Sequence, residues 1–71
     1  MKKAIATIKN EIGEEMIIYF NGINKEMTAE NVNRVEEIGS FPESEKEAYN
    51  DVYWMYYDPI WELEFITEYD D

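Results

Sequence analysis

The side chains of this chain that could do chemistry are its carboxylates. The 71 residues include 17 Asp and Glu, but no His and no Cys. The usual zinc ligands, thiol nucleophiles and imidazole bases are therefore absent. The only serines, Ser40 and Ser44, each begin an S-x-x-E sequence typical of a helix cap, and no base accompanies them. Nucleophilic catalysis is not supported by this set of residues.

Carboxylates alone support few reactions in so short a chain. Paired Asp and Glu perform acid and base catalysis in glycosidases, but 71 residues leave little material for the substrate cleft that this chemistry needs. No D-x-[DN]-x-[DN]-G loop is present, so a specific calcium site is not expected. We therefore predict that the protein is not an enzyme and holds no cofactor and no metal.

The negative charge is both large and unevenly distributed. The formal net charge is −11, and ten of the 17 acids lie between Glu43 and the end of the sequence, against the single base Lys46. The first 42 residues are nearly balanced, with seven acids and five bases. Such a field repels nucleic acids and anionic membranes and speeds encounter with a basic protein surface. A basic protein partner is the expectation, with no direct binding of nucleic acid or membrane.

The segment Ile60–Tyr69 alternates large apolar residues with glutamates and predicts a strand. Trp61, Leu63, Phe65, Thr67 and Tyr69 would share one face. Glu62, Glu64 and Glu68 would share the other face with Ile60 and Ile66. Side chains at i and i+2 of a strand stand about 6.6–6.8 Å apart, and phosphates of one DNA strand advance about 3.4 Å per base. The glutamates would thus present charge at a roughly phosphate-like density, although an ordinary solvated strand face explains them as well.

A second acidic group is predicted on a helix that begins near Ser40 or Ser44. Ala48, Val52, Met55 and Tyr56 recur at helical spacing, and Asp58 before Pro59 would end the element. At 100° per residue, Glu43, Glu47, Asp51 and Trp54 fall on the opposite side, where Trp54 would be an exposed anchor. The β-forming residues between 52 and 57 leave a strand as the alternative, in which Trp54 would lie in the core. Together with the tail, these segments give the predicted partner-binding residues: Glu43, Glu47, Asp51, Trp54, Tyr57, Asp58, Glu62, Glu64, Glu68, Asp70 and Asp71.

The remaining elements complete a small α+β fold. Residues 3–9 and 14–20 are predicted as strands, and Asn21-Gly22 favours a type I′ turn that would pair residues 23–27 back onto the second strand. Thr28 resembles a helix cap, and the spacing of apolar residues predicts a helix over 29–38 that ends at Gly39. We therefore expect one domain over residues 1–71, with an antiparallel sheet of three or four strands and one or two helices on one face.

Composition makes a folded chain outside the membrane the expectation. Hydrophobic residues make up 45% of the sequence and aromatic residues 15%, whereas disordered chains are poor in both. The start, with Lys2 and Lys3, is similar to that of a signal peptide, but Thr7 and Lys9 interrupt its apolar run. No segment approaches the roughly 18 apolar residues of a membrane span. With no Cys, a cytoplasmic location is expected.

In length, negative charge, aromatic content and lack of Cys and His, the chain resembles the small acidic DNA mimics that phages and mobile elements encode. These include anti-CRISPR proteins and inhibitors of restriction or repair enzymes. The resemblance implies an inhibitor that occupies the nucleic-acid channel of a host nuclease. The alternative is a non-catalytic interaction module or antitoxin-like subunit that binds a basic partner mainly through hydrophobic surface. The oligomeric state and the identity of the target stay open.

Overall fold

Five antiparallel strands and one helix form a two-layer α+β fold in the computed structural model, which describes residues 2–66. The strands are β1 (Lys2–Lys9), β2 (Glu15–Asn21), β3 (Met27–Glu30), β4 (Val35–Ile38) and β5 (Glu62–Phe65), and the helix is α1 (Glu45–Met55). The order across the sheet is β4-β3-β2-β1-β5. The predicted fold class is confirmed, although the sheet has five strands instead of the expected three or four.

Each of the first two hairpins is closed by an asparagine side chain. Between β1 and β2, the Oδ1 atom of Asn10 accepts hydrogen bonds from the backbone N–H groups of Ile12 and Glu14, and Gly13 has a φ of 86°. Glycine tolerates this left-handed conformation at little cost. Between β2 and β3, the backbone N–H of Asn21 donates to the carbonyl of Glu26 at 2.9 Å. In both places the chain reverses direction between two antiparallel strands, as the sequence predicted.

The predicted two-residue turn at Asn21-Gly22 is wrong in detail. Residues 22–25 form a longer connection, and the left-handed φ of 64° falls on Lys25. The side chain of Asn21 accepts from the N–H of Ile23 at 2.9 Å, which is an Asx turn in place of a type I′ turn. The third strand therefore begins at Met27 and not at residue 23.

The predicted helix over 29–38 is also wrong, because β3 and β4 occupy this segment. Of the four apolar residues at helical spacing, Ala29 and Ile38 are buried, whereas Val32 is fully exposed and Val35 is 62% exposed. The Oδ1 atom of Asn31 accepts from two backbone N–H groups of the turn that follows it. Pairing of β3 with β2 outweighs a weak helical pattern in which two of the four apolar residues are β-branched valines. Gly39 follows a strand and does not adopt a positive φ.

The helix carries the chain from one edge of the sheet to the other. It leaves β4 at one edge and delivers β5 beside β1 at the opposite edge. Ser44 is the N-cap, and its hydroxyl oxygen accepts from the N–H of Glu47 at 3.3 Å. Ala48 and Val52 are fully buried against the sheet. The helix predicted to begin near Ser40 or Ser44 is confirmed with Ser44 as its cap; it ends at Met55, before the predicted end at Asp58, and it excludes the alternative of a strand over its last turn.

The hydrophobic core lies between the helix and one face of the sheet. Its buried residues are Ile5, Ala6, Ile8, Met16, Ile18, Phe20, Met27, Ala29, Ile38, Ala48 and Val52. Five partly buried residues pack around it, namely Tyr49, Tyr56, Trp61, Leu63 and Phe65. No helix within residues 2–66 is long and apolar enough to cross a membrane.

Candidate functional site

One side of the helix is buried against the sheet, and the predicted site residues lie on the other side, which is exposed to solvent. Because Ala48 and Val52 face the sheet, Glu47 and Trp54 on the opposite side of the helix point away from it. Trp54 is 65% exposed and Tyr57, just after the helix, is 63% exposed. Of the two alternatives for Trp54, the exposed one is confirmed and the core one is excluded.

Trp54 is the centre of an exposed aromatic cluster. Its ring centroid lies 5.4 Å from that of Tyr53 in an edge-to-face arrangement, and 5.9 Å from that of Tyr57. The rings of Tyr53 and Tyr57 are 5.8 Å apart. These spacings are typical of favourable aromatic pairs, so the three rings brace one another while much of their surface stays open. We call Tyr53, Trp54 and Tyr57 the aromatic cluster.

Asp51 lies beside Trp54, and several acidic side chains of the helix and its two ends have local structural partners. The Oδ2 atom of Asp51 accepts a hydrogen bond of 2.5 Å from the hydroxyl of Ser40. Glu47 accepts from the backbone N–H of Glu43 at 3.0 Å, which supports the start of the helix. Asp58 accepts from the N–H of Ile60 in the turn that leads to β5. These bonds help to offset the repulsion between like charges four residues apart, which costs a few tenths of a kcal/mol per pair.

The predicted glutamates of the last strand lie on a different face of the molecule. In β5, Leu63 and Phe65 pack against the core, so Glu62 and Glu64 point to the face of the sheet that the helix does not cover. Both glutamates are exposed. We call this side of the sheet the open sheet face.

The register of the sheet gives Glu62 and Glu64 their neighbours. Glu64 pairs with Thr7, and Glu62 pairs with Lys9, which in turn pairs with Glu15 of β2. Lys9 therefore stands between two glutamates across the sheet, and such opposite-charge neighbours attract modestly. The strand itself is shorter than predicted, because residues 60 and 61 belong to the preceding turn. Thr67, Glu68, Tyr69, Asp70 and Asp71 lie outside the described residues.

The single acidic surface expected from the sequence is thus divided in two. Glu43, Glu47, Asp51 and Asp58 lie with the aromatic cluster on the helix side, while Glu62 and Glu64 lie on the open sheet face. The sheet lies between the two groups, because the helix packs on one of its faces and Glu62 and Glu64 point away from the other. A partner that contacts both groups must therefore reach around the domain.

Three of the six bases form ion pairs with acids outside the predicted site. The ion pairs within 4.0 Å among residues 2–66 join Lys2 to Glu30, Lys3 to Glu45, and Arg34 to Glu14 and Glu36. None of these four involves a predicted partner-binding residue. The Lys3–Glu45 pair, at 2.6 Å, links the first strand to the first turn of the helix, and it raises the pKa of Lys3.

Several residues of these surfaces were missed by the sequence reasoning. On the helix side they are Phe41, Tyr53 and Met55, which are 65%, 45% and 44% exposed. The four-residue spacing of Tyr53 and Tyr57 was a signal that the two rings would meet on a helix. On the open sheet face they include Glu15, which pairs with Lys9. They also include Glu37, whose position depends on a strand pairing that the predicted helix over 29–38 excluded.

Within the described part of the chain, no group of three or more acidic side chains converges in a way that would hold a metal ion. Comparison with protein-family models, with curated proteins and with solved structures found no match to this chain. The functional argument therefore depends on the charges, the exposed rings and their placement in the fold.

Proposed function

We propose that this protein is a non-catalytic inhibitor that binds the basic groove of a nucleic-acid-handling enzyme in place of DNA or RNA. An anti-CRISPR or anti-restriction role, in the cytoplasm of the cell that contains the enzyme, is the form of this function that we favour. The observation that carries the proposal is the exposure of acidic side chains on both faces of a small domain in which Lys2, Lys3 and Arg34 form ion pairs with other acids.

The charge density supports substitution for a nucleic-acid backbone. Residues 2–66 contain fourteen acids and six bases, a net charge of −8, and the longest dimension of the domain is 32 Å. This is one net negative charge per about 4 Å, compared with one per about 3.4 Å along a single DNA strand. A groove built to neutralise phosphates would meet a comparable number of charges.

The two-sided distribution of the acids suits a channel better than a flat surface. A nucleic acid held in a channel presents phosphates to more than one wall. Glu62 and Glu64 on the open sheet face, with Glu43 and Glu47 on the helix side, would likewise face opposite walls. Attraction by the walls would speed encounter, and added salt would screen it.

The aromatic cluster would supply binding affinity that exposed charges contribute only weakly. Exposed ion pairs contribute little net affinity, whereas buried Trp and Tyr side chains are frequent hot spots at protein interfaces. Trp54 and Tyr57 are each more than 60% exposed in the free chain, so docking would remove much apolar surface from water. The charges would therefore direct the encounter and the rings would slow dissociation.

The test is capture of a partner followed by competition. The chain is immobilised, a lysate of a candidate host is passed over it, and the captured protein is purified and assayed for nucleic-acid binding. We expect the captured protein to bind duplex or single-stranded nucleic acid and to be released by an excess of it. A captured protein that holds this chain and nucleic acid at the same time would contradict the proposal.

A second candidate function is a protein-interaction module or antitoxin-like subunit that binds a partner mainly through hydrophobic surface. The observation in its favour is that Glu47, Asp51 and Asp58 already accept hydrogen bonds within the chain, while the aromatic cluster is bare. Charge reversal separates the two candidates. If Glu62→Lys combined with Glu64→Lys leaves binding intact and Trp54→Ala abolishes it, the interaction module is the correct function.

A further inference from the structure

A shallow groove lies between the helix and the connection that leads into it from β4. Asp51, Trp54 and Met55 of the helix form one side, and Gly39 and Ser40 of the connection form the other. Asp51 and Trp54 are three residues apart and so share one side of the helix. The groove therefore places a carboxylate, a hydroxyl, an indole ring and a thioether around one space.

The carboxylate of Asp51 is held in position and keeps acceptor capacity. Ser40 donates to its Oδ2 atom at 2.5 Å, and the side chain is partly buried. A carboxylate has about four lone-pair sites, so one hydroxyl leaves most of them available. The ion pairs formed by Lys2, Lys3 and Arg34 do not include Asp51. Its negative charge is consequently free to attract a cation from outside the chain.

The indole of Trp54 provides the second half of a cation site. Tryptophan is the aromatic side chain that attracts cations most strongly over its face, and arginine is the cation most often found there. Tyr53 and Tyr57 pack against this indole, which limits its movement, and Trp54 stays 65% exposed. A planar group could stack on the ring while its edge points to Asp51.

We propose that this groove binds the guanidinium group of one arginine side chain from a basic protein partner. Guanidinium is planar, stacks on aromatic rings and donates in parallel to both oxygens of a carboxylate, whereas ammonium is a compact, strongly hydrated charge. The groove therefore selects arginine over lysine. The inference deepens the proposed function and rests on it, because it names the chemistry of the partner at the helix side.

The proposal is tested on the free protein with blocked Gly-Ser pentapeptides that carry one central arginine, citrulline or lysine. The ¹⁵N-labelled chain has two indole N–H signals, from Trp54 and Trp61, and Trp61 is a control because it is half-buried and packs edge-on against Tyr56 at 5.1 Å. The peptides are titrated into the millimolar range, where one side chain is expected to bind. We expect the arginine peptide to shift the Trp54 signal and not the Trp61 signal, and citrulline to have no effect.

A matched pair of variants distinguishes binding in the groove from general electrostatic attraction between the peptide and an acidic protein. Asp51→Asn removes one charge within the groove and keeps an oxygen that can accept from Ser40. Glu62→Gln removes one charge from the open sheet face. We expect Asp51→Asn to weaken binding of the arginine peptide about fivefold or more, as for loss of a charge-assisted hydrogen bond, and Glu62→Gln to change it less than twofold.

Besides a lack of any effect of the arginine peptide, three results would overturn the inference. They are equal shifts with the citrulline peptide, equal affinity for the lysine peptide, and equal weakening by the two variants. The peptide comparison uses the unmodified chain, so it stands even if a variant fails to fold. If the arginine peptide has no effect while nucleic acid still displaces the captured partner, the groove assignment is wrong and the inhibitor function stands.

Discussion

The attachment of the helix to the sheet depends on very few side chains, and Val52 is the most sensitive of them. It is fully buried, as is Ala48, and these are the buried core residues that the helix contributes. Val52→Ala removes two buried methyl groups, worth about 0.8 kcal/mol each, and leaves a cavity that adds about 1 kcal/mol. The higher helix propensity of alanine offsets about 0.5 kcal/mol. We therefore expect a loss of about 2 kcal/mol in the free energy of unfolding.

This loss is large for a domain of 71 residues, whose total stability is expected to be about 4–10 kcal/mol. Urea unfolding followed by circular dichroism measures it, and the melting temperature should fall by about 8–16 °C. Val32→Ala is the matched control, because the same change at a fully exposed turn residue should cost less than about 0.5 kcal/mol. If Val52→Ala unfolds within 0.5 kcal/mol of the unmodified chain, or if the two variants lose equally, the helix does not pack as described.

Three further predictions concern single interactions. Ser44→Ala removes the N-cap and should lower the free energy of unfolding by about 1 kcal/mol in urea, while Ser44→Asp should retain most of it. The hydrogen bonds that Lys2 donates lower the pKa of Glu30, so its carboxyl should titrate by NMR below the ordinary range of a glutamate. Its contribution to stability is lost as the pH falls through that lowered pKa, and Lys2→Met should reduce this loss. Burial raises the pKa of Tyr56, so the free energy of unfolding should fall as the pH rises above about 10, and Tyr56→Phe should reduce that fall.

The sequence predicted correctly the features that depend on residues close together in the chain. The Ser44 cap, the buried stripe of Ala48 and Val52, and the alternation of Leu63 with Glu62 and Glu64 all reappear in the structure. The helix predicted over 29–38 failed because its stripe rested on Val32, which stands in a turn. Pairing of β3 with the preceding strand β2 decided that segment, and a window over 29–38 does not contain β2.

The exposure of several candidate residues was predicted from the sequence, but their arrangement in the fold was not. Periodicity placed Trp54 on the outer side of a helix and Glu62 and Glu64 on one side of a strand. It could not state which face of the sheet the helix would cover, because that depends on how the chain crosses between the two edges. The division of the acids into two groups, and the groove beside Asp51, follow from that crossing.

The central claim is that this chain and nucleic acid compete for one basic site, and an equilibrium competition tests it most directly. A fluorescent oligonucleotide is bound to the captured partner, the chain is added, and anisotropy reports the bound fraction at salt concentrations between about 50 and 500 mM. We predict that the chain displaces the oligonucleotide completely, with an apparent affinity that falls as salt rises. Partial displacement that leaves a complex of all three molecules, or an affinity insensitive to salt, would contradict the account.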